Sequence, residues 1–105
     1  MLRSIKSPQR APRAIHAIIE DDGSVTAGSQ DVSVALASSV YTITIAKPFA
    51  RLPIVSLAQD DAGILVLSSV AAGVIEVSAF DVDGTTPKDI GFHLQILGFD
   101  VADEY

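Results

Sequence analysis

The stretch VYTITI at residues 40–45 decides the fold class. Tyr41, Ile43 and Ile45 alternate with smaller or polar residues, and a period of two puts these three side chains on one face of a β-strand. β-branched and aromatic residues are also the residue types that strands favour. Pro48 follows and ends the strand, because a proline has no N–H to donate to a sheet.

Similar short apolar runs recur on both sides of this stretch, separated by clusters of Asp, Gly, Ser and Pro that favour turns. No segment shows a long helical periodicity. Turns at intervals of about 8–12 residues are typical of an antiparallel sandwich or barrel. We therefore predict an all-β fold, an antiparallel, jelly-roll-like β-sandwich. The predicted strands are 14–19, 31–36, 40–45, 53–58, 64–70, 74–80 and 91–97.

Length and composition exclude several classes of protein. A chain of 105 residues fits one domain. The absence of cysteine excludes a disulfide framework, a thiolate metal site and a cysteine nucleophile. No apolar run approaches the roughly 20 residues of a membrane helix. The basic start is not followed by an apolar stretch, so we expect no signal peptide and no membrane partner.

Charge is distributed unevenly along the chain. Residues 1–19 hold four basic and no acidic side chains, whereas the remainder holds three basic against thirteen acidic ones, which gives the net charge of −6. We predict an extended basic N-terminal arm at 1–13 and one sandwich domain at 14–105. Such an arm suits an acidic partner surface, although a solubilising tail is the alternative. Nucleic acid is disfavoured, because the acidic body repels phosphates. The predicted contact residues of the arm are Arg3, Lys6, Arg10 and Arg13.

Two predicted strands, 53–58 and 64–67, are apolar on both faces. A strand of a two-layer sandwich normally has one buried and one wet face, so these strands need a second cover. Without a predicted helix, that cover is another subunit, and we expect a homotrimer. The alternative is a central position under long loops. The predicted subunit-interface residues are Ile54, Leu57, Leu65 and Leu67.

The motif FDVDGT at residues 80–85 resembles the first signature of haloacid-dehalogenase-type phosphatases, in which the first aspartate is the nucleophile. That fold needs a parallel sheet downstream, and here only 105 − 85 = 20 residues follow. Asp81, Asp83 and Asp89 could instead offer oxygen ligands to calcium, but an EF-hand would need Glu where Phe92 stands. The simplest interpretation is a turn at Asp83-Gly84.

Nothing else in the sequence predicts catalysis. His16 and His93 lie within strand patterns, where a structural histidine is more common than a ligand or a base. Nucleophile elbows, P-loops and dinucleotide fingerprints are absent from the sequence. We therefore expect no enzyme, no catalytic residue, no bound metal and no cofactor.

The strand and turn pattern of the second half resembles a known family. The matching segments are 41–50, 52–55, 68–77, 83–84 and 89–94. They are similar to the small β-sandwich modules of tailed-phage virions, which occur as capsid decoration (cement) proteins and as tail-fibre tips and are commonly trimeric. The resemblance implies a structural protein of the virion, located on the capsid surface and bound to the major capsid protein. A tail-fibre module that recognises a host glycan or protein is the alternative.

Overall fold

The computed structural model describes residues 10–28 and 31–101, and these residues form strands without any helix. No helix in this part of the chain is therefore long and apolar enough to cross a membrane. The strands are β1 (Arg10–Ile19), β2 (Val25–Gly28), β3 (Val32–Ala37), β4 (Val40–Ile45), β5 (Ile54–Gln59), β6 (Ile64–Val70), β7 (Val74–Phe80) and β8 (Phe92–Val101).

The strands form two antiparallel sheets of four, which confirms the predicted all-β sandwich class. Sheet I has the order β2-β1-β8-β5, and sheet II has the order β3-β4-β7-β6. The edge strands β5 and β6 belong to different sheets and are joined by residues 60–63 alone, which keeps them on the same side of the sandwich. The alternative prediction from the sequence placed β5 and β6 at the centre of the fold under long loops. In the structure both strands lie at the edge of a sheet.

The core is built by alternate residues of the four central strands. Tyr41, Ile43 and Ile45, which the sequence pattern put on one face, are buried, and on β8 Phe92, Leu94 and Ile96 are buried as well. β1 and β7 contribute the same kind of row. Burial of each large aliphatic side chain contributes about 1.5–3 kcal/mol, so these rows stabilise the pairing of the two sheets. The β1 and β7 rows are Ile15, Ala17, Ile19, Ile75, Val77 and Ala79.

Tyr41 connects the core to the loops at one end. Its ring packs edge-on against Phe92, with 5.2 Å between ring centroids. Its hydroxyl donates to the carbonyl oxygen of Asp21 at 2.8 Å and accepts from the backbone N–H of Ile90 at 3.0 Å. Burial raises the pKa of Tyr41 to about 12. The hydroxyl thus fixes two loops from different parts of the chain on one core side chain.

The start of the sandwich differs from the prediction. β1 begins at Arg10 rather than at Ala14, and Arg10 to Arg13 pair with Val101 to Gly98 of β8. The reason is that β8 also continues beyond its predicted end and offers these residues a ladder. Residues 1–9 of the predicted arm lie outside the described residues.

Candidate interaction surfaces

From Pro12 to Ile18 of β1, and along β5 and β8 as far as Phe99, the outward side of sheet I carries no Asp, Glu, Lys or Arg side chain. Cross-strand pairing arranges the exposed side chains in rows, for instance Ile54 beside Leu97 and Ser56 beside Gln95. We call this surface the sheet I face. Its exposed members are Pro12, Ala14, His16, Ile54, Ser56, Ala58, His93, Gln95, Leu97 and Phe99.

One end of the sheet I face is strongly apolar. Ile54 is 68% exposed, Phe99 is 50% exposed and Leu97 is 46% exposed. They line a groove of about 400 Å³, whose other lining residues are Pro12, Arg13, Ala14 and Gly98. Contiguous exposed apolar surface of this kind marks interaction sites on soluble proteins. This groove was not predicted from the sequence, although the alternation of β8 places Leu97 and Phe99 on the face opposite to the core residues.

The centre of the same face is polar. Ser56, Gln95 and His16 lie in one row across β5, β8 and β1. The next row holds His93, whose ring lies 6.5 Å from that of His16 and whose Nε2 is 3.4 Å from Oδ1 of Asp60. Both histidines are exposed strand residues. No group of three or more His, Asp or Glu side chains that could hold a metal ion occurs in residues 10–28 and 31–101.

A second uncovered surface lies where β5 and β6 form the side of the sandwich. Val55, Leu57 and Leu65 have core residues as cross-strand partners, so they point between the sheets, yet they remain only half-buried. Leu67 faces the same way and is 39% exposed. We call these four side chains the β5–β6 side. They are half-covered because β5 pairs only with β8, and β6 only with β7, within the described residues.

The four predicted interface residues therefore divide between the two surfaces. Leu57, Leu65 and Leu67 belong to the β5–β6 side, and Ile54 belongs to the sheet I face. These residues were predicted because both faces of β5 and β6 are apolar. The structure shows that β5 and β6 are edge strands rather than central ones.

The two ends of the sandwich differ in charge. The pairing of Ile19 and Gln59 with Phe92 brings three loops together at one end. We call this the acidic end. One of its cations is Lys88, whose Nζ is 3.4 Å from Oδ2 of Asp61. The carboxylates in these loops are Glu20, Asp21, Asp22, Asp60, Asp61, Asp81, Asp83 and Asp89.

The aspartates of the FDVDGT motif are held by their own neighbours. Asp83 accepts hydrogen bonds from the hydroxyl and N–H of Thr86 and from the N–H of Thr85, and these bonds lower its pKa to about 2. Asp81 accepts from the N–H of Val82. Asp89 lies apart from them and accepts from the Ser39 hydroxyl at 2.6 Å.

A turn is present as predicted, with the N–H of Gly84 donating to the carbonyl oxygen of Asp81. It lies in the connection between the two sheets rather than in a hairpin, because β7 and β8 belong to different sheets. Both sheets are antiparallel, so the motif lacks the parallel sheet of the phosphatases that it resembles.

Arg13 lies at the opposite end and is used within the chain. Its Nη2 is 2.9 Å from Oδ1 of Asp100 and donates to the carbonyl oxygen of Lys47. Its guanidinium also stacks over the ring of Phe49 at 4.2 Å. Arg13 therefore lies in β1 rather than in a free arm, and its guanidinium is engaged within the chain; its predicted contact with a capsid stays a prediction. The side chains of Arg3, Lys6 and Arg10 lie outside the described part.

The comparisons with known proteins give no match: no family model, no curated protein and no solved structure is similar to this chain.

Proposed function

We propose that the chain is a capsid decoration (cement) protein, a structural protein of a phage virion that binds and stabilises the capsid surface as a homotrimer. One observation carries the proposal: β5 and β6 leave a row of apolar side chains half-covered in a single chain. Natural proteins cover or protect the edges of their sheets, commonly with charges or prolines. Neither β5 nor β6 contains a charged residue or a proline. A second copy of the chain supplies the missing cover.

The resemblance to small virion modules supports the same proposal. The resembling segments lie between residues 41 and 94 and include parts of β4 to β8. The partner on the capsid is the major capsid protein, and attachment uses the basic N-terminal segment through Arg3, Lys6 and Arg10. Arginine forms bidentate bonds to carboxylates, so Arg10 contributes more than Lys6.

A binding titration on undecorated capsids tests the attachment. Removal of residues 1–9 leaves β1 complete, whereas removal of residues 1–13 would also remove the ion pair between Arg13 and Asp100. We expect the shortened protein to stay folded and to bind more weakly, and added salt to weaken binding of the full chain.

Charge variants separate the effect of charge from that of length. Arg3→Gln combined with Lys6→Gln should weaken binding by about threefold to tenfold, because exposed ion pairs contribute about 0–1 kcal/mol each. Ser4→Gln combined with Ser7→Gln changes the same segment without changing its charge and serves as the matched control. Equal affinities of the charge variant and this control would mean that the segment is a solubilising tail.

A further inference from the structure

The chain carries two different uncovered surfaces that meet at β5. The sheet I face contains Ile54 of β5, and the β5–β6 side contains Val55 and Leu57 of the same strand. The first surface lies flat on a sheet, and the second runs along the side of the sandwich. We infer that the β5–β6 side of one copy packs onto the sheet I face of the next copy. The inference rests on the proposed homotrimer and assigns its subunit contact.

The occupant of the sheet I face must match an apolar groove and a central polar row. The β5–β6 side offers apolar side chains for the groove. It also offers backbone N–H and C=O groups along the outer edges of β5 and β6, which need hydrogen-bond partners once water is excluded. Ser56 and Gln95 can supply such partners, because a hydroxyl and an amide both donate and accept.

Charge supports a copy of the same chain as the occupant. The chain has a net charge of −6, so most contacts between copies would bring like charges together. The side chains that define the sheet I face and the β5–β6 side include no Asp or Glu, Arg13 beside the groove is a cation, and most of the described carboxylates lie at the acidic end. Copies can meet through these two surfaces without that repulsion.

The smaller of the two surfaces limits the contact area. Strands of six and seven residues with a rise of about 3.3 Å per residue, in sheets about 10 Å apart, give the β5–β6 side roughly 200 Å². Each contact then buries about 400 Å², and a closed ring of three contacts buries about 1,200 Å².

The symmetry of the contact follows from the use of two different surfaces. A contact between unlike surfaces of identical copies is heterologous, and it forms a closed ring where the rotation between copies permits. The proposed homotrimer is a closed ring of three such contacts, whereas the sheet I face packed against itself would give a dimer.

A mixing experiment tests the assignment. Leu97→Glu disables the sheet I face but leaves the β5–β6 side intact, and Leu67→Glu does the reverse. We expect the unmodified chain to sediment as a trimer. Each variant alone should sediment as a monomer, and its circular dichroism spectrum should show that it is folded. An equimolar mixture should form a one-to-one heterodimer, because one intact contact remains between the two variants. Thr44→Glu, on the exposed outward side of sheet II, is the matched control and should stay trimeric.

The outcomes separate the inference from the proposed function. A trimer that survives both substitutions would overturn the contact and leave the proposed homotrimer standing. Two folded monomers that do not combine on mixing would also overturn it, because the intact β5–β6 side of one variant should bind the intact sheet I face of the other. A monomeric unmodified chain would overturn both.

A cross-link covers the case in which Leu67→Glu fails to fold. The chain has no cysteine, so Ile54→Cys in one sample and Leu67→Cys in another introduce single thiols. A bifunctional maleimide should join the mixed samples more efficiently than either sample alone. Equal or weaker joining of the mixture would contradict the inference.

Discussion

Removal of the Tyr41 hydroxyl is the sharpest test of how the sandwich is held together. Tyr41→Phe keeps the ring against Phe92 and deletes both hydrogen bonds of the hydroxyl. The substitution leaves the N–H of Ile90 without its partner, and Ile90 is buried. A buried donor left unpaired costs about 1–3 kcal/mol. We therefore expect a loss of about 2 kcal/mol in the free energy of unfolding, which corresponds to roughly 10 °C in melting temperature.

Urea unfolding followed by far-ultraviolet circular dichroism measures this loss. The slope of the unfolding free energy against urea should stay unchanged, because the same surface is exposed on unfolding. A loss below about 0.5 kcal/mol would refute the reasoning, since substitutions at ordinary surface positions produce changes of that size.

The same hydroxyl predicts a dependence of stability on alkaline pH. Burial raises the pKa of Tyr41 from 10.0 to about 12, so the folded state holds the phenol proton more tightly than the unfolded state. The contribution of the protonated Tyr41 hydroxyl to the free energy of unfolding is therefore complete below pH 10, and it is lost as the pH rises from 10 towards 12. Tyr41→Phe should remove this decline. In a Tyr105→Phe background Tyr41 is the remaining tyrosine, and its tyrosinate absorbance should titrate near 12; a midpoint near 10 would contradict the burial argument.

Three further predictions test other parts of the account. Gly98→Ala should destabilise the fold by about 1–3 kcal/mol in urea unfolding, because a Cβ at this position would clash with the ring of Phe49; an unchanged midpoint would show that the ring moves freely. Arg13→Lys should cost about 1 kcal/mol through the loss of the stacked, forked guanidinium, whereas the exposed Arg51→Lys should change little. With an aryl phosphate and Mg²⁺ we expect no turnover above background, and turnover that disappears in Asp81→Asn would contradict a purely structural role.

Three strands, β4, β6 and β7, were predicted at their observed bounds. β4 and β7 alternate large apolar residues with smaller or polar ones, and β6 is a short apolar run that ends before the turn at residues 71–73. β2 was missed, since its four residues are all exposed and carry no such signal. The two-residue turn between β3 and β4 also gave no clear sequence signal. Ser38 and Ser39 have positive φ angles of 52° and 60°, and turns with such angles usually contain glycine or asparagine rather than serine.

The candidate surfaces were only partly predictable for a related reason. The apolar character of 53–58 and 64–67 indicated that these strands need a cover, but pairing order decides which side chains share a surface. Ile54 joins Leu97 and Phe99 only through the neighbouring position of β5 and β8 in sheet I. The ion pair between Arg13 and Asp100 was equally unpredictable, because it forms only where the pairing of β1 with β8 extends to the ends of both strands.

The most direct test of the proposed role is the copy number of the chain in purified phage virions, if the proposal holds, relative to the major capsid protein, measured by quantitative mass spectrometry of particles from the organism that encodes the chain. A decoration protein covers the shell, so its copy number should scale with that of the major capsid protein, and high salt should release it more readily when residues 1–9 are removed. A copy number as small as that of a tail fibre, or absence from the particle, would contradict the proposal.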